Sequence, residues 1–208
     1  PPILQPFYDV GKLMAKSPSV VNPFQAFCAY AYLAASAMSV LLFAVQADLL
    51  LIFFVLTIGG VFLVLGGMAS PSPYSQIGAQ RELIQMLTYE PLLILVFASF
   101  RIGAILDRAT PLLPVLPLVF FVLLYALTIK LRKSPFDFST SHHGHQEIVK
   151  GVLNEYSGPY LAMIEIAHWY EVVLVLGFCA LFWATSWIGV AILLFSAFLI
   201  YVILELLF

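Results

Sequence analysis

The sequence predicts an all-α integral membrane protein, and its composition and its hydropathy pattern carry that prediction. Hydrophobic residues make up 62% of the 208 residues, whereas charged residues make up only 10%. Soluble domains are roughly 45–50% apolar and about 25% charged, so the shortage of charge excludes an ordinary soluble fold. The apolar residues also fall into about six runs, each close to the roughly 20 residues that a helix needs to cross a bilayer.

Short segments separate most of the predicted spans. We take 69–80, in which Pro71 and Pro73 stand among small polar residues, to be a loop. Three prolines crowd the start of the fourth span, where helices tolerate proline best. The predicted spans are 24–45, 48–68, 81–102, 112–131, 158–183 and 187–208.

The two ends of the sequence predict a fragment of a longer protein. The chain opens at Pro1 without an initiator methionine, and it stops at Phe208 inside an apolar run. We therefore interpret 1–208 as a single transmembrane domain that continues beyond both ends.

The segment 132–157 is too polar to span a bilayer. If the spans alternate in direction, seven of the nine Lys and Arg residues fall on its side of the membrane: Lys12, Lys16, Arg81, Lys130, Arg132, Lys133 and Lys150. Since basic residues are enriched in cytoplasmic loops, the long segments are predicted to be cytoplasmic and the chain to be a multi-pass protein of the cell membrane. Within this segment, 146–153 is predicted to form a short amphipathic helix at the interface.

Several ionisable side chains stand inside the predicted spans. Glu82 and Glu90 lie in the third span, and Glu165, His168 and Glu171 lie in the fifth. A charged side chain at the centre of a bilayer costs about 2.5–3.5 kcal/mol on insertion scales, so such groups are expected to face protein or water and to have a function. For Glu82 and Glu171, an interfacial position or a structural ion pair is the alternative.

Glu165, His168 and Glu171, here called the acid–histidine stripe, are spaced three residues apart. This spacing places them on one side of a helix. Carboxylates and an imidazole at such distances can share protons, and their titrations are then coupled. The stripe is therefore a candidate proton path. In a passive membrane anchor, the same acids would have only a structural role.

His142, His143 and His145 form a cluster that could suggest a metal site. Clustered histidines bind a metal only where further ligands and a fixed geometry support them, and no cysteine lies near this glycine-containing stretch. We predict no metal here and favour contact with another subunit or a place of proton uptake. Cys28 and Cys179 lie inside apolar runs, as small buried hydrophobic residues do.

Four motifs, in order along the chain, resemble those of a known family: the complex I membrane subunit that meets the quinone site. The resemblance covers nearly the whole chain and implies a fragment of a roughly eight-helix, complex I subunit-1-like fold. The motifs are 1–13, 80–90, 135–137, and 147–149 followed by Gly151 and 154–157.

Within that family, the chain is most similar to the subunit of energy-converting, membrane-bound [NiFe] hydrogenases. Two stretches indicate this subtype, Ser139–Glu147 and His168–Glu171. Quinone-using members typically carry an acidic run after the Pro-Phe-Asp motif, where this chain has Ser-Thr-Ser-His-His.

The resemblance implies a membrane subunit that couples redox chemistry to ion movement. It would anchor a peripheral arm in which reduced ferredoxin supplies electrons for H₂, and the [NiFe] centre and [4Fe-4S] clusters would belong to partner subunits rather than to this chain. The implied partners are the hydrogenase large and small subunits, an iron–sulfur subunit and antiporter-like subunits that move H⁺ or Na⁺, together with the lipid bilayer and without nucleic acid.

The same resemblance assigns roles to individual residues. The positions that would contact the arm and take up protons are Asp9, Lys12, Arg81, Asp137, His142, His143, His145 and Glu147. The proton path would consist of Glu82, Glu90, Glu155, Glu165, His168 and Glu171. No catalytic residue is predicted.

Three other functions remain open. The chain could be the quinone-site subunit of a complex I-type oxidoreductase, or the same subunit in a sulfur-reducing relative. A passive anchor would keep the acids for structure alone. A stand-alone transporter is disfavoured, because the sequence lacks paired interrupted spans in two related halves.

Overall fold

The computed structural model describes residues 4–18, 22–106, 117–132, 150–183, 187 and 189–191. All regular structure in these ranges is helical, in agreement with the predicted all-α class. Short 3₁₀ turns cover Gly151–Leu153 and Leu181–Trp183. The α-helices are α1, Gln5–Met14; α2, Pro23–Ala44; α3, Leu49–Met68; α4, Pro73–Leu106; α5, Pro117–Lys130; and α6, Gly158–Ala180.

Among the described residues, four helices are long and apolar enough to cross a membrane. They are α2, α3, the Pro73–Phe100 part of α4, and α6. The fifth apolar helix, α5, has 14 residues in the described part of the chain. The predicted start of that span at 112 and most of the predicted sixth span lie outside the described residues. These helices confirm the membrane class that the composition predicts.

Local side chains explain where α2 and α3 begin. The Asn22 side chain accepts a hydrogen bond from the backbone N–H of Phe24 at 3.0 Å, and proline occupies the first turn of α2. Asp48 does the same for the N–H of Leu50 at 3.1 Å. Asn and Asp are favoured at these positions because they satisfy backbone donors that have no partner inside the helix.

Helix α4 begins earlier than the sequence analysis expects. The segment 69–80 is not a loop throughout, because the helix starts at Pro73 rather than near 81. Proline is compatible with a first helical turn, where its missing N–H removes no helical hydrogen bond. Ser70 supports this start: its hydroxyl accepts from the N–H of Ser72 at 3.1 Å, and its carbonyl accepts from Gln76 Nε2 at 2.9 Å.

The predicted amphipathic helix over 146–153 is wrong in its described part. Lys150 and Gly151 have φ values of 57° and 44°, and a short 3₁₀ turn follows them. Two successive residues in the left-handed region cannot belong to a right-handed α-helix. The chain instead makes a tight turn here and re-enters the helical region at Gly158.

The chain folds as two compact units. The first comprises Pro1–Ile84 and Phe138–Glu171, and the second comprises Gln85–Asp137 and Val172–Phe208. In the first unit, α2 and α3 approach closely: a Cβ at Gly59 would lie 3.0 Å from the Cβ of Ala35. Small residues permit such close packing between membrane helices.

Stacked aromatic rings form the described core of the second unit. The rings of Phe97 and Phe178 lie edge to face with centroids 4.8 Å apart, and Phe182 contacts Phe100 at 4.6 Å and Phe120 at 5.1 Å. Each such pair contributes about 0.5–1.5 kcal/mol beyond the burial of its apolar area.

Candidate functional site

The acid–histidine stripe lies on α6 within the first unit. His168 Nδ1 is 3.7 Å from Glu171 Oε2, with side chains that are 28% and 2% exposed. Glu165 is partly exposed, one turn before His168. The stripe therefore runs from an accessible carboxyl group to a nearly inaccessible one, with the imidazole between them.

Glu165 opens on a cavity of about 770 Å³, here called the α1–α6 cavity. Residues of both helices line it, among them Asp9 and Lys12 of α1 and Glu165 of α6. The structure thus brings Asp9 and Lys12, both predicted to contact the arm, together with Glu165 of the predicted proton path. The cavity gives the first carboxyl group of the stripe access to a space bordered by charged side chains.

Contacts within and between the helices hold the cavity wall in place. The rings of Phe7 and Trp169 meet edge to face with centroids 5.2 Å apart, which fixes α1 against α6. On α1, Gln5 Nε2 donates to Asp9 Oδ1 at 3.0 Å. The Asp9 carboxylate is therefore oriented by a hydrogen bond from a residue one turn earlier on α1.

Glycines on α3 and α4 make room for the turn that carries Glu155. A Cβ at Gly67 would lie 2.7 Å from Val152 Cγ2, and one at Gly78 would collide with the backbone of Val152. Asn154 Nδ2 donates to Ser72 Oγ and to Glu155 Oε1, both at 3.4 Å. The half-buried Glu155 is therefore held on a turn that packs tightly against two helices.

Tyr156 is a buried residue that the sequence analysis did not single out. Its hydroxyl has no hydrogen-bond partner within the part of the chain that the structure describes. Burial raises the pKa of Tyr156, and the nearby Cys28 raises it further. The only signal in the sequence is a tyrosine within the Asn154–Ser157 motif, which does not by itself predict burial.

The two acids of α4 have different degrees of exposure. Glu82, in the first unit, is only 4% exposed, and Glu90, in the second, is half-buried. Arg81, next to Glu82, is half-buried as well. The Glu82 side chain is therefore enclosed by protein, and a structural ion pair, one of the alternatives left open by the sequence, is compatible with this burial.

Lys130, at the end of α5, is a buried basic residue. It is one of the basic residues predicted to lie on the cytoplasmic side, and its side chain is only 7% exposed. Its Nζ lies 5.5 Å from the centre of the Tyr89 ring, at the distance of a cation–π contact. The burial depends on a helix distant in sequence, which explains why charge counting alone missed it.

Several predicted residues lie outside the described part of the chain. These are Asp137, His142, His143, His145 and Glu147. Within the described ranges, His, Cys, Asp and Glu residues do not gather in threes that could hold a metal ion. Cys28 and Cys179 are free and buried.

These features define an integral membrane protein with ionisable groups in its interior. The model of the NADH dehydrogenase family matches residues 1–208, and the chain belongs to that family. It is 28% identical over 205 residues to a chain of the NADH-quinone oxidoreductase of Cupriavidus necator, covering 86% of this chain and 53% of the relative. It is 33% identical over 143 residues to the NADH-ubiquinone oxidoreductase chain 1 of Yarrowia lipolytica, covering 61% and 40%. The chain thus spans about half, or less, of the length of these relatives.

A solved structure has the same fold. The membrane-bound sulfane sulfur reductase, described as an archaeal respiratory membrane complex, contains a chain that matches with a TM-score of 0.79 and 22% identity, over 100% of this chain and 77% of that one. At this identity the match shows the fold alone. The chain thus belongs by sequence to the NADH dehydrogenase family and has the fold of a chain in that respiratory membrane complex.

Proposed function

We propose that this chain couples electron transfer in attached peripheral subunits to the movement of H⁺ or Na⁺ across the membrane. The observation that carries the proposal is the geometry of the acid–histidine stripe. It starts at Glu165 on a charged cavity, continues through His168, and ends at the buried Glu171, 3.7 Å from the imidazole.

Burial makes the protonation of Glu171 sensitive to its surroundings. A carboxylate removed from water is strongly stabilised by a positive charge nearby and destabilised without one. A protonated His168 adds a positive charge 3.7 Å from the Glu171 carboxylate, beside the other interactions of that group. Because the two groups interact, a proton that reaches His168 from the cavity changes the proton affinity of Glu171.

The energies are of the right size for ion transport. Moving one charge against 100 mV requires about 2.3 kcal/mol. A pKa change of about two units in one carboxyl group corresponds to about 2.7 kcal/mol. A redox-driven change at one or two buried acids is therefore large enough to drive the movement of one ion.

For the peripheral chemistry, our proposal is the ferredoxin-dependent evolution of H₂. Its support is the resemblance of Ser139–Glu147 and His168–Glu171 to energy-converting hydrogenases. The partners are then the hydrogenase large and small subunits, an iron–sulfur subunit and antiporter-like subunits, which carry the [NiFe] centre and the [4Fe-4S] clusters. The long loops are proposed to lie on the cytoplasmic side of the cell membrane.

One purification tests the proposed chemistry. The complex isolated through this chain is assayed with reduced ferredoxin for H₂, and in parallel with quinone and with sulfane sulfur as electron acceptors. H₂ evolution by a complex with a [NiFe] subunit supports the proposal. Quinone or sulfur reduction without H₂ would replace it by one of the two related functions, and the coupling role would be unaffected.

A charge-neutral substitution tests the coupling role. In the intact complex in proteoliposomes, Glu171→Gln is expected to abolish most of the ion movement per electron while electron transfer continues, because the amide cannot take up and release a proton. Asp48→Asn is the matched control, because it neutralises an exposed carboxylate in the same unit and asparagine still caps α3. An unchanged ratio in Glu171→Gln would contradict the proposal.

A further inference from the structure

We propose that the α1–α6 cavity binds the head group of an anionic phospholipid. Binding of such a lipid does not depend on the proposed ion-coupling role. Three features of the cavity lead to it: the charges on its wall, the apolar part of the same wall, and the position of α1 beside it.

The cavity wall has a surplus of positive charge. Lys12, Lys16 and Lys150 line it together with two carboxylates, Asp9 and Glu165. With every group ionised, three positive charges face two negative ones, and a phosphodiester carries one negative charge. The three lysine side chains are exposed, so their ammonium groups stay hydrated until they contact a phosphate and pay no cost of burial in protein beforehand.

The lysines approach a common ligand from two sides. Lys12 and Lys16 are one turn apart along α1, whereas Lys150 comes from the turn that precedes α6. Asp9 already accepts a hydrogen bond from Gln5 at 3.0 Å, which partly satisfies its negative charge. Lys12 would then serve lipid binding rather than the arm contact that the family resemblance implies.

The rest of the wall favours a lipid over a soluble anion. Leu13 of α1 and Leu161 and Trp169 of α6 line the same cavity. Inorganic phosphate has no group that benefits from an apolar wall, whereas the glycerol and first acyl carbons of a phospholipid do. The volume of about 770 Å³ lies within the range of about 300–1,000 Å³ that is usual for small-molecule sites.

Helix α1 indicates that the cavity lies at the depth of lipid head groups. It has no buried residue, and Phe7 and Tyr8 are each 65% exposed, with Leu4 and Met14 also exposed. Spacings of three, four and seven residues place these side chains on one side of the helix. An amphipathic helix of this kind lies in the plane of the membrane interface, with its apolar side in the acyl boundary.

Trp169 provides the probe for a binding experiment. The complex containing the full-length chain is reconstituted with increasing fractions of brominated phosphatidylglycerol, or of brominated phosphatidylcholine, and tryptophan quenching is recorded. The Trp169→Phe complex is measured in parallel, and the difference between the two isolates the signal of Trp169. Phosphatidylglycerol is expected to quench this signal at a lower fraction than phosphatidylcholine.

Substitution of the three lysines tests whether the preference for phosphatidylglycerol arises in the cavity. Each Lys→Gln substitution at positions 12, 16 and 150 is expected to weaken the preference for phosphatidylglycerol about fivefold. Arginine at the same positions should retain it. The matched control is Arg132→Gln, which removes a basic residue that is described outside the cavity wall. It should leave the preference unchanged.

Three results would overturn the proposal. One is equal quenching by the two lipids. Another is a preference for phosphatidylglycerol that survives in the triple Lys→Gln variant, provided that this complex elutes from size-exclusion chromatography like the unsubstituted one. The third is loss of quenching on addition of millimolar inorganic phosphate at constant ionic strength, which would indicate a site for a soluble anion.

Discussion

The hydroxyl of Tyr156 lies where any residue other than glycine at position 66 would place its Cβ. The same Cβ would also come within 2.9 Å of the Cβ of Cys28. Three segments distant in sequence therefore meet at Gly66: α2, α3 and the turn before α6. This contact positions the turn that carries Glu155 and leads into the acid–histidine stripe.

Gly66→Ala is expected to destabilise the chain. The added methyl group forces Tyr156 to move, and overpacking of this kind costs about 1–3 kcal/mol. Alanine regains up to about 1 kcal/mol of helix propensity, so the net change is a modest loss. The midpoint of thermal unfolding of the purified complex, followed by circular dichroism, measures it.

A second variant shows whether the clash is the cause. Tyr156→Phe removes the oxygen atom, so adding it to Gly66→Ala should restore part of the lost stability. Gly11→Ala is the control, because a Cβ there would meet nothing within 4 Å. Equal destabilisation by Gly11→Ala and Gly66→Ala would contradict the account.

Tyr156 also makes the stability sensitive to alkaline pH. The ordinary pKa of a tyrosine is about 10, and burial raises the pKa of Tyr156 in the folded chain. The folded state then keeps its proton while the unfolded state loses it, so stability is constant below about pH 10 and falls above it by up to about 1.4 kcal/mol per pH unit. The unfolding midpoint of Tyr156→Phe, measured from pH 8 to 11, should fall less steeply than that of the unsubstituted chain. Parallel curves would disprove this contribution.

The buried Lys130 should be energetically coupled to the ring of Tyr89. A double-mutant cycle of Tyr89→Leu and Lys130→Met, evaluated from unfolding midpoints, is expected to give a coupling energy of about 0.5–2 kcal/mol. Tyr89→Phe keeps an aromatic face and should retain most of that coupling. Additive effects of Tyr89→Leu and Lys130→Met would show that the 5.5 Å contact contributes nothing.

His168 is expected to transfer protons between the cavity and Glu171. His168→Gln keeps a polar side chain of similar length but cannot accept and release a proton at neutral pH. It should slow coupled ion movement at least tenfold, since positioned proton-transfer groups contribute factors of about 10²–10⁴. Ion uptake and electron transfer are recorded together in proteoliposomes. Full coupling in His168→Gln would exclude the imidazole from the path.

Local patterns predicted the features that depend on neighbouring residues in sequence. The apolar run predicted the first span from 24, close to the start of α2 at Pro23, and the spacing of Glu165, His168 and Glu171 places them on one side of α6. The start of α4 was not predicted, because Pro73 is equally typical of a loop and of a first helical turn.

The remaining features depend on contacts between distant segments. Neither the approach of α1 to α6 through Phe7 and Trp169 nor the burial of Lys130 against Tyr89 follows from any local pattern. The same holds for Gly66, whose importance arises only from the position of Tyr156. The sequence alone therefore indicated which acids to consider but not the cavity on which one of them opens.

Redox-induced infrared difference spectroscopy of the intact complex is the most direct test of the coupling role. Carboxylic acid and carboxylate groups absorb at different frequencies, so a change in the protonation of Glu171 on reduction of the peripheral subunits gives a paired band. We expect this band in the unsubstituted complex and in Asp48→Asn, and its loss in Glu171→Gln. A difference spectrum that Glu171→Gln leaves unchanged would contradict the proposal that redox chemistry controls the proton on Glu171.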